Sequence, residues 1–340
     1  MSYLLPPIDT WELWAGSFND VRLWRPVVDA ICARKGIRYH RIEAPESNTN
    51  AVFILDRRVV IKIYSPFWAE YGFERALMEL LACTGDVPVP AIRAAGVFRD
   101  RRDWSFLAMD FCAGCPLDEL PSIARRPAVP DRVLLEIAGQ TGCLLQRLHA
   151  VDLEPLAGID NGERWEALVN RRRREAVPEL IDRGLIAPAI APALEELMNE
   201  ALAASQAAPR VVVHGDLNAE HVLLEERNGR WTVSALIDFG DAGVGVPDYE
   251  WMPLWLGLCN RDATVMRALL GAYDPSLPAD PRLGQRIAAW TLLHDFGTDA
   301  IAELFDDTNE PCPVTSLAAL QALVWPGIWL EAQAGGERET

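Results

Sequence analysis

Lysine is almost missing from this 340-residue chain: of its 32 basic residues only Lys35 and Lys62 are lysines, and the rest are arginines. Set against 49 acidic residues, they leave a net charge of −17. That balance argues against nucleic acid as the main partner, because neutralising a phosphate backbone takes clustered positive charge. Long hydrophobic runs are missing as well. No stretch of about 18 uninterrupted apolar residues occurs, so no membrane-spanning helix and no membrane partner are expected. The opening MSYLLPPIDTWELW lacks a basic region followed by a long apolar run, so no signal peptide is expected. Cysteine is sparse, seven residues without framework spacing, which fits reduced thiols and a cytoplasmic location. Cys112 and Cys115 form a CxxC, but with no second pair and no nearby histidine neither metal nor redox chemistry is expected there. Internal repeats and low-complexity segments are absent too.

What is present is the balance of an ordinary globular protein, half hydrophobic and about a quarter charged, long enough for two domains or one bilobal unit. Residues 8–36 carry apolar side chains at roughly helical spacing and stop at Gly36, which predicts a helical N-terminal extension over 1–36 packed on the main body. From Ile37 the period changes. IRYHRIEA and AVFILDRRVVIKIY predict three antiparallel strands, FWAEYGFERALMELLACTG predicts a helix ending at Gly85, and DVPVPAIRAAGVF with DWSFLAMDFCAG predicts a strand pair. These make a β-rich unit over 37–112. Residues 113–335 read as mostly helical, with VLLEIAGQTGCLLQRLHAV the strongest amphipathic stretch and Arg171–Arg174 a solvated helix face.

The chemistry concentrates in VVVHGDLNAEHVLLEERNGRWTVSALIDFGDAG. Asp216 follows one apolar strand-like run, and Asp238 ends the next, 22 residues later, with a turn at Asn228 and Gly229 between the runs. Carboxylates at the ends of two adjacent strands can converge. One could handle a hydroxyl proton and the other hold Mg²⁺, which prefers oxygen ligands. Phosphoryl transfer is mostly positioning and charge neutralisation, so a lysine, a metal and a base form a sufficient kit. Lys62, in the run VVIKIY, supplies a compact cation that arginine does not mimic.

Here the sequence resembles the aminoglycoside phosphotransferase family of small-molecule kinases. HGDLNAEHVLL is similar to that family's catalytic loop, IDFGDAG to its metal-binding segment, VVIKIY to its lysine strand, and FERALMELLACTGDVPVP to its glutamate-bearing helix. The resemblance runs over about residues 37–255. It implies an α+β, bilobal protein-kinase-like fold, with a small antiparallel-sheet N-lobe bearing one pairing helix and a larger, mostly helical C-lobe holding the catalytic loop and acceptor site. It also implies ATP, with GTP not excluded, and Mg²⁺ as cofactors. Asp216 would be the catalytic base, Asp238 would bind the metal, Lys62 would hold the α/β-phosphates, and Glu74, rather than Glu79, would pair with Lys62.

Two departures stand out. The family pattern has Asn five residues after the catalytic Asp, where it ligates metal, and this chain has His221. An imidazole can ligate metal, but Mg²⁺ prefers oxygen; Asn218, two residues after Asp216, is too close in sequence to take that place. The phosphate-covering segment EAPESNTNAVF has no glycine, which leaves the amides of Ser47, Asn48 and Thr49 to face phosphate. The strand-to-linker segment LAMDFCAG would offer backbone groups of Asp110 and Cys112 to the base, with Met109 lining the pocket. His214 and His149 read as structural.

The acceptor is expected to be a small molecule with a hydroxyl, an aminoglycoside or another cationic or sugar-like compound. From Met252 onward five arginines face 12 acids, and Asp295, Asp299 and Glu303 at helical spacing predict one acidic face that would attract a cation. Glu250 is grouped with these acids, although it falls where the family has a carboxylate bracing the catalytic loop. Trp251, Trp255 and Trp290 could stack on a sugar, with core packing the expectation for at least two.

Overall fold

The computed structural model of the chain describes residues 3–45, 49–120, 132–159, 165–308 and 312–328. Ser47 and Asn48 lie outside the described residues.

The chain starts with two helices, α1 (Trp11–Ala15) and α2 (Val21–Lys35). Asp20 caps α2 by accepting from the Arg22 and Leu23 amides, and Gly36 ends it in the left-handed conformation that glycine adopts without penalty. Five antiparallel strands follow: β1 (Ile42–Glu43), β2 (Ala51–Leu55), β3 (Val59–Ile63), β4 (Ile92–Arg99) and β5 (Asp103–Asp110). Their spatial order is β1-β2-β3-β5-β4, and the helix α3 (Tyr71–Thr84) crosses between β3 and β4.

Strand alternation decides which side chains reach the cleft. Val59, Ile61 and Ile63 of β3 pack with Trp14, Trp24 and Val28 of the N-terminal helices. Lys62, between them, therefore points to the opposite face, where α3 lies. The outer layer is aromatic: Trp14 stacks on Trp104 at 5.6 Å, and Trp24 meets both edge-on. The inner face and α3, through Phe73, Leu77 and Leu81, join a second core that continues through the rest of the molecule. Each such fully buried side chain contributes about 1.5–3 kcal/mol.

The C-terminal part is mostly helical: α4 (Arg132–His149), α5 (Trp165–Asp182), α6 (Ala191–Ser205), α7 (Ala263–Tyr273), α8 (Leu283–Leu293), α9 (Gly297–Thr308) and α10 (Leu317–Val324). No helix among the described residues is long and apolar enough to cross a membrane.

Its short strands differ from the sequence reading. Val211–Val213 (β7) pairs with Gly243–Gly245 (β10). Val222–Arg227 (β8) is a further strand, pairing Cys115–Pro116 (β6) on one side and Arg230–Leu236 (β9) on the other. The runs that lead to Asp216 and Asp238 thus belong to different sheets and are not neighbours. The segment Val222–Arg227 escaped notice because three consecutive apolar residues followed by Glu-Glu-Arg show no alternation.

Arg171–Arg174 is not a uniformly solvated face. Arg172 is buried, pairing with Glu179 and donating to Thr298, while Arg171 pairs with Asp295, so this face of α5 is stitched to α9 and the turn before it.

Candidate active site

Lys62 is almost fully buried, and its Nζ lies 2.8 Å from Glu74 Oε2 and 2.8 Å from Asp238 Oδ1. Tyr64 donates its hydroxyl to the same Glu74 oxygen at 2.7 Å. Glu79 points elsewhere, paired with Arg75 on the surface of α3. Burial works against the Lys62 charge, but Asp238 and Glu74 outweigh it and hold the ammonium protonated. Burial likewise would raise the Asp238 carboxyl, yet the Lys62 ammonium and His221 hold it well below the usual carboxylate range. One cation from the sheet and one acid from the other lobe therefore already meet.

Asp216 sits in the loop after β7, and every neighbour of that loop is committed to its shape. Gly215 has φ 81°, and a Cβ there would fall 2.4 Å from the Asp241 carbonyl, so only glycine fits. Glu250, fully buried in the turn Pro247–Glu250, accepts from the amides of His214 and Gly215. It braces the loop from behind and does not line the acceptor cavity, which corrects its grouping with the acceptor-side acids. His214 accepts from the Asp216 amide through Nδ1 and so donates from Nε2 to the Ile237 carbonyl, tying the loop to the Asp238 segment. His294 accepts from the Phe296 amide through Nδ1 and donates to the Gly215 carbonyl at 2.9 Å. Burial lowers the pKa of both histidines to about 4, which keeps them neutral. His149 bonds Tyr273 instead.

Burial pushes the Asp216 carboxyl up to about 6, against the pull of His221 and of the Asn218 amide. Asn218 is occupied twice, donating to Asp216 Oδ1 and accepting from the Glu220 amide, so it is a clamp on Asp216. His221 bridges the two acids. Its Nδ1 lies 2.6 Å from the Asp216 carbonyl, an acceptor only, so Nδ1 carries the proton. Nε2 then presents its lone pair toward Asp238 Oδ2, 3.9 Å away. A hard carboxylate oxygen and an imidazole nitrogen facing one another fit a divalent cation whose remaining ligands come from phosphate and water. Asp238 itself has φ 60°, in the left-handed region uncommon for a non-glycine residue.

A cavity of about 980 Å³ opens beside Asp216 and runs away from Met109, Asp110 and Cys112. Thr49 lies at its edge, its carbonyl accepting from the Trp14 indole at 2.7 Å. Asp295, Asp299 and Glu303 all line it, although Asp295 precedes α9 rather than sharing its face. Asp295 pairs with Arg171 and Asp299 with Arg183, so the acidic wall is half neutralised. Trp251, Trp255 and Trp290 are core residues and line nothing.

Several site residues have no counterpart in the sequence reading. Asp241 and Glu70 line the cavity near Lys62 and Asp216, and crowding among these acids together with burial raises the Asp241 carboxyl well above its usual range. Asp241 stands in the IDFGDAG string, three residues after Asp238, so a signal existed. Trp11, Trp68 and Trp165 carry no local mark of a site. In the linker, the Asp110 amide donates to Ala91 and the Phe111 amide to Arg58, which leaves the Cys112 amide as the donor there. Met109 is buried in the core beside this segment.

Residues 38–285 match the sequence model of the phosphotransferase enzyme family. Among solved structures, the chain is similar to the GDP complex of aminoglycoside 2'-phosphotransferase-IIIa, with 19% identity, TM-score 0.63, and 84% of this chain and 93% of that one covered. It is also similar to the macrolide 2'-phosphotransferase MphH from Brachybacterium faecium, with 22% identity, TM-score 0.53 and coverages of 88% and 98%. The streptomycin–ATP ternary complex of APH(2")-IIa matches at 16% identity and TM-score 0.52, over 78% and 88% of the two chains. At these identities the likeness establishes the fold, a bilobal protein-kinase-like arrangement.

Proposed function

The chain belongs to the phosphotransferase enzyme family, and from that premise we propose that it transfers the γ-phosphoryl group of ATP to a hydroxyl of a small molecule. The observation that carries this reading is the meeting of Lys62, Asp238 and, through His221, Asp216 beside a cavity large enough for an acceptor. In this reading residues 37–112 hold the nucleotide and 113–335 the acceptor. Lys62 binds the α/β-phosphates and Glu74 fixes its position. Asp238 and His221 would hold Mg²⁺, which would supply neutralisation of phosphate charge.

Asp216 orients the acceptor hydroxyl and takes its proton as the oxygen bonds to the γ-phosphorus and the bond from that phosphorus to the β,γ-bridging oxygen breaks, ADP leaving. A carboxyl near pKa 6 suits that task, since it is deprotonated at neutral pH yet a stronger base than an ordinary aspartate. The Cys112 amide and the Asp110 carbonyl face the base, with Met109 behind. Backbone recognition of this kind serves ATP and GTP alike, and solved relatives have been crystallised with ATP and with GDP. The Thr49 amide covers phosphate, while Ser47 and Asn48 lie outside the described residues. Seven free cysteines, two of them buried, suit a reducing cytoplasm.

Thermal stabilisation by ATP, by GTP and by each with Mg²⁺ tests the reading directly. Mg²⁺–nucleotide is expected to raise the melting temperature of the wild type, and Asp238→Ala to remove the part that needs metal. No stabilisation by either nucleotide, with or without Mg²⁺, would refute the proposal.

A further inference from the structure

Large apolar side chains exposed on this protein are not scattered evenly. Among the described residues seven are exposed, and three of them, Trp11 (37% exposed), Trp68 (54%) and Phe296 (38%), line the cavity beside Asp216. Two come from the N-terminal side. Trp11 sits at the start of α1, and Phe67 and Trp68 lie on the loop that joins β3 to α3. Trp11 meets Phe67 edge-on at 6.4 Å and Trp68 at 5.6 Å. Nothing in the fold requires these rings to face water.

The cluster is held rigid from behind. Asn50 accepts from the Ser65 amide and donates to Glu70, fixing both ends of the loop. The Arg102 guanidinium lies over the rings of Phe67 and Trp104 and donates to the Ile8 carbonyl. Trp14, three residues after Trp11, is fully buried and bonded to Thr49. Exposed aromatics fixed in this way have the properties of a preorganised binding surface.

The opposite wall repeats the chemistry. Trp165 stacks on Trp290 and presents its ring with Tyr249, Leu168 and Phe296. Two of the three acids on that wall, Asp295 and Asp299, are already paired with arginines; Glu303 alone has no ion-pair partner among the described residues. The cavity's other acids, Asp216, Asp241 and Glu70, lie at the catalytic end, so on the wall facing the rings a cation meets one unpaired carboxylate. At about 980 Å³ the cavity is at the upper end of the size of drug-binding pockets.

We propose that Trp11, Phe67 and Trp68 form an acceptor-binding wall, and that the acceptor is an amphipathic hydroxyl compound with a broad apolar face and a single amine. This rests on the transfer reading above and names its acceptor class. The apolar face lies between the two aromatic walls, the amine meets Glu303, and the hydroxyl reaches Asp216. The N-terminal helices thus contribute to substrate choice as well as to the core.

Binding of four probes in the presence of Mg²⁺–ADP tests it by calorimetry: propranolol and erythromycin, each with at least one hydroxyl and one amine, against kanamycin and spermidine. At least one amphiphile is expected to bind with weak salt dependence, and Trp68→Ala and Trp11→Ala each to weaken it about tenfold, the size of an anchoring aromatic contact. Trp68→Phe is expected to restore most of the affinity. Failure of both amphiphiles, amphiphile binding that both alanine variants leave within about twofold, or tighter binding of a polycation with steep salt dependence would each overturn the proposal. Melting with Mg²⁺–ATP, run on the same variants, keeps the two questions apart: a normal nucleotide response with no amphiphile binding sinks the acceptor class and spares the phosphotransferase reading.

Discussion

The two ends of the cleft are built on opposite principles. At the nucleotide end, Lys62, Glu74, Tyr64 and Asp238 are packed into one buried network in which each charge has a partner at about hydrogen-bond distance. At the acceptor end, rings stand exposed and ion pairs such as Arg171–Asp295 and Arg183–Asp299 lie near the surface. Buried pairs are costly to break and weak only to solvent; exposed pairs contribute little and rearrange readily. On the proposed reading, the transfer chemistry is therefore held by a buried network, whereas acceptor choice rests on side chains that can be exchanged at small cost.

That contrast can be broken from either end. The largest effect belongs to Lys62→Ala, which leaves Glu74 buried beside an empty place. A loss of about 3–5 kcal/mol in denaturant unfolding is expected, with nucleotide stabilisation gone. Retention of wild-type stability would mean the buried network is no more demanding than the exposed one.

Asp216→Asn is expected to cut transfer by about 10²–10⁴-fold, as removal of a general base does. The same change should stabilise the fold at neutral pH. The folded pKa of about 6 stands above the ordinary value of 3.8, so it is the charged form that folding penalises. That penalty is absent below about pH 3.8, grows as pH rises through 6, and is fully present at pH 7. A gain of up to about 3 kcal/mol at pH 7 that shrinks to a small fraction of that by about pH 3.5, read by thermal melting, is the expected signature. In the wild type, kcat/KM should fall on the acid side near pH 6, as the Asp216 carboxylate takes up its proton.

His221→Asn replaces a nitrogen donor by an oxygen donor. It is expected to lower the Mg²⁺ concentration needed for half-maximal nucleotide stabilisation by about threefold to tenfold, and to weaken the response to Mn²⁺ relative to Mg²⁺. An unchanged metal response would remove His221 from the metal's surroundings. The smallest effect lies at the acceptor end: Arg171→Ala should cost less than about 1 kcal/mol in stability. It should also raise kanamycin affinity by a few-fold, because Asp295 is set free.

The same contrast explains what could be read in advance. Lys62 stood out because a chain of arginines kept it, whereas the face it takes is set by the pairing of β3 and could not be read from VVIKI, which does not alternate. Glu74 was preferred over Glu79 on the family resemblance, in which the pairing residue sits early in the helix, and it is Glu74 that meets Lys62. Asp216 and Asp238 carry local signatures, though their strands turned out to lie in different sheets. The acceptor end left no such trace. Arg171 and Asp295 are 124 residues apart, His294 supports Gly215 from 79 residues away, and Trp11 joins the cavity from the first helix. Contacts of that range follow from packing of whole elements, which periodicity and composition do not encode. The formal charge of the C-terminal region counts acids and not their partners, so it could not show that Asp295 and Asp299 are paired with arginines.

A last consequence follows from the crowding around the Lys62 ammonium. Three oxygens close on a point charge at the end of a flexible stem, with no space for a planar fork. An arginine here would have to wedge its guanidinium between Glu74 and Asp238, so position 62 is a place where this arginine-rich polypeptide cannot exchange one cation for the other.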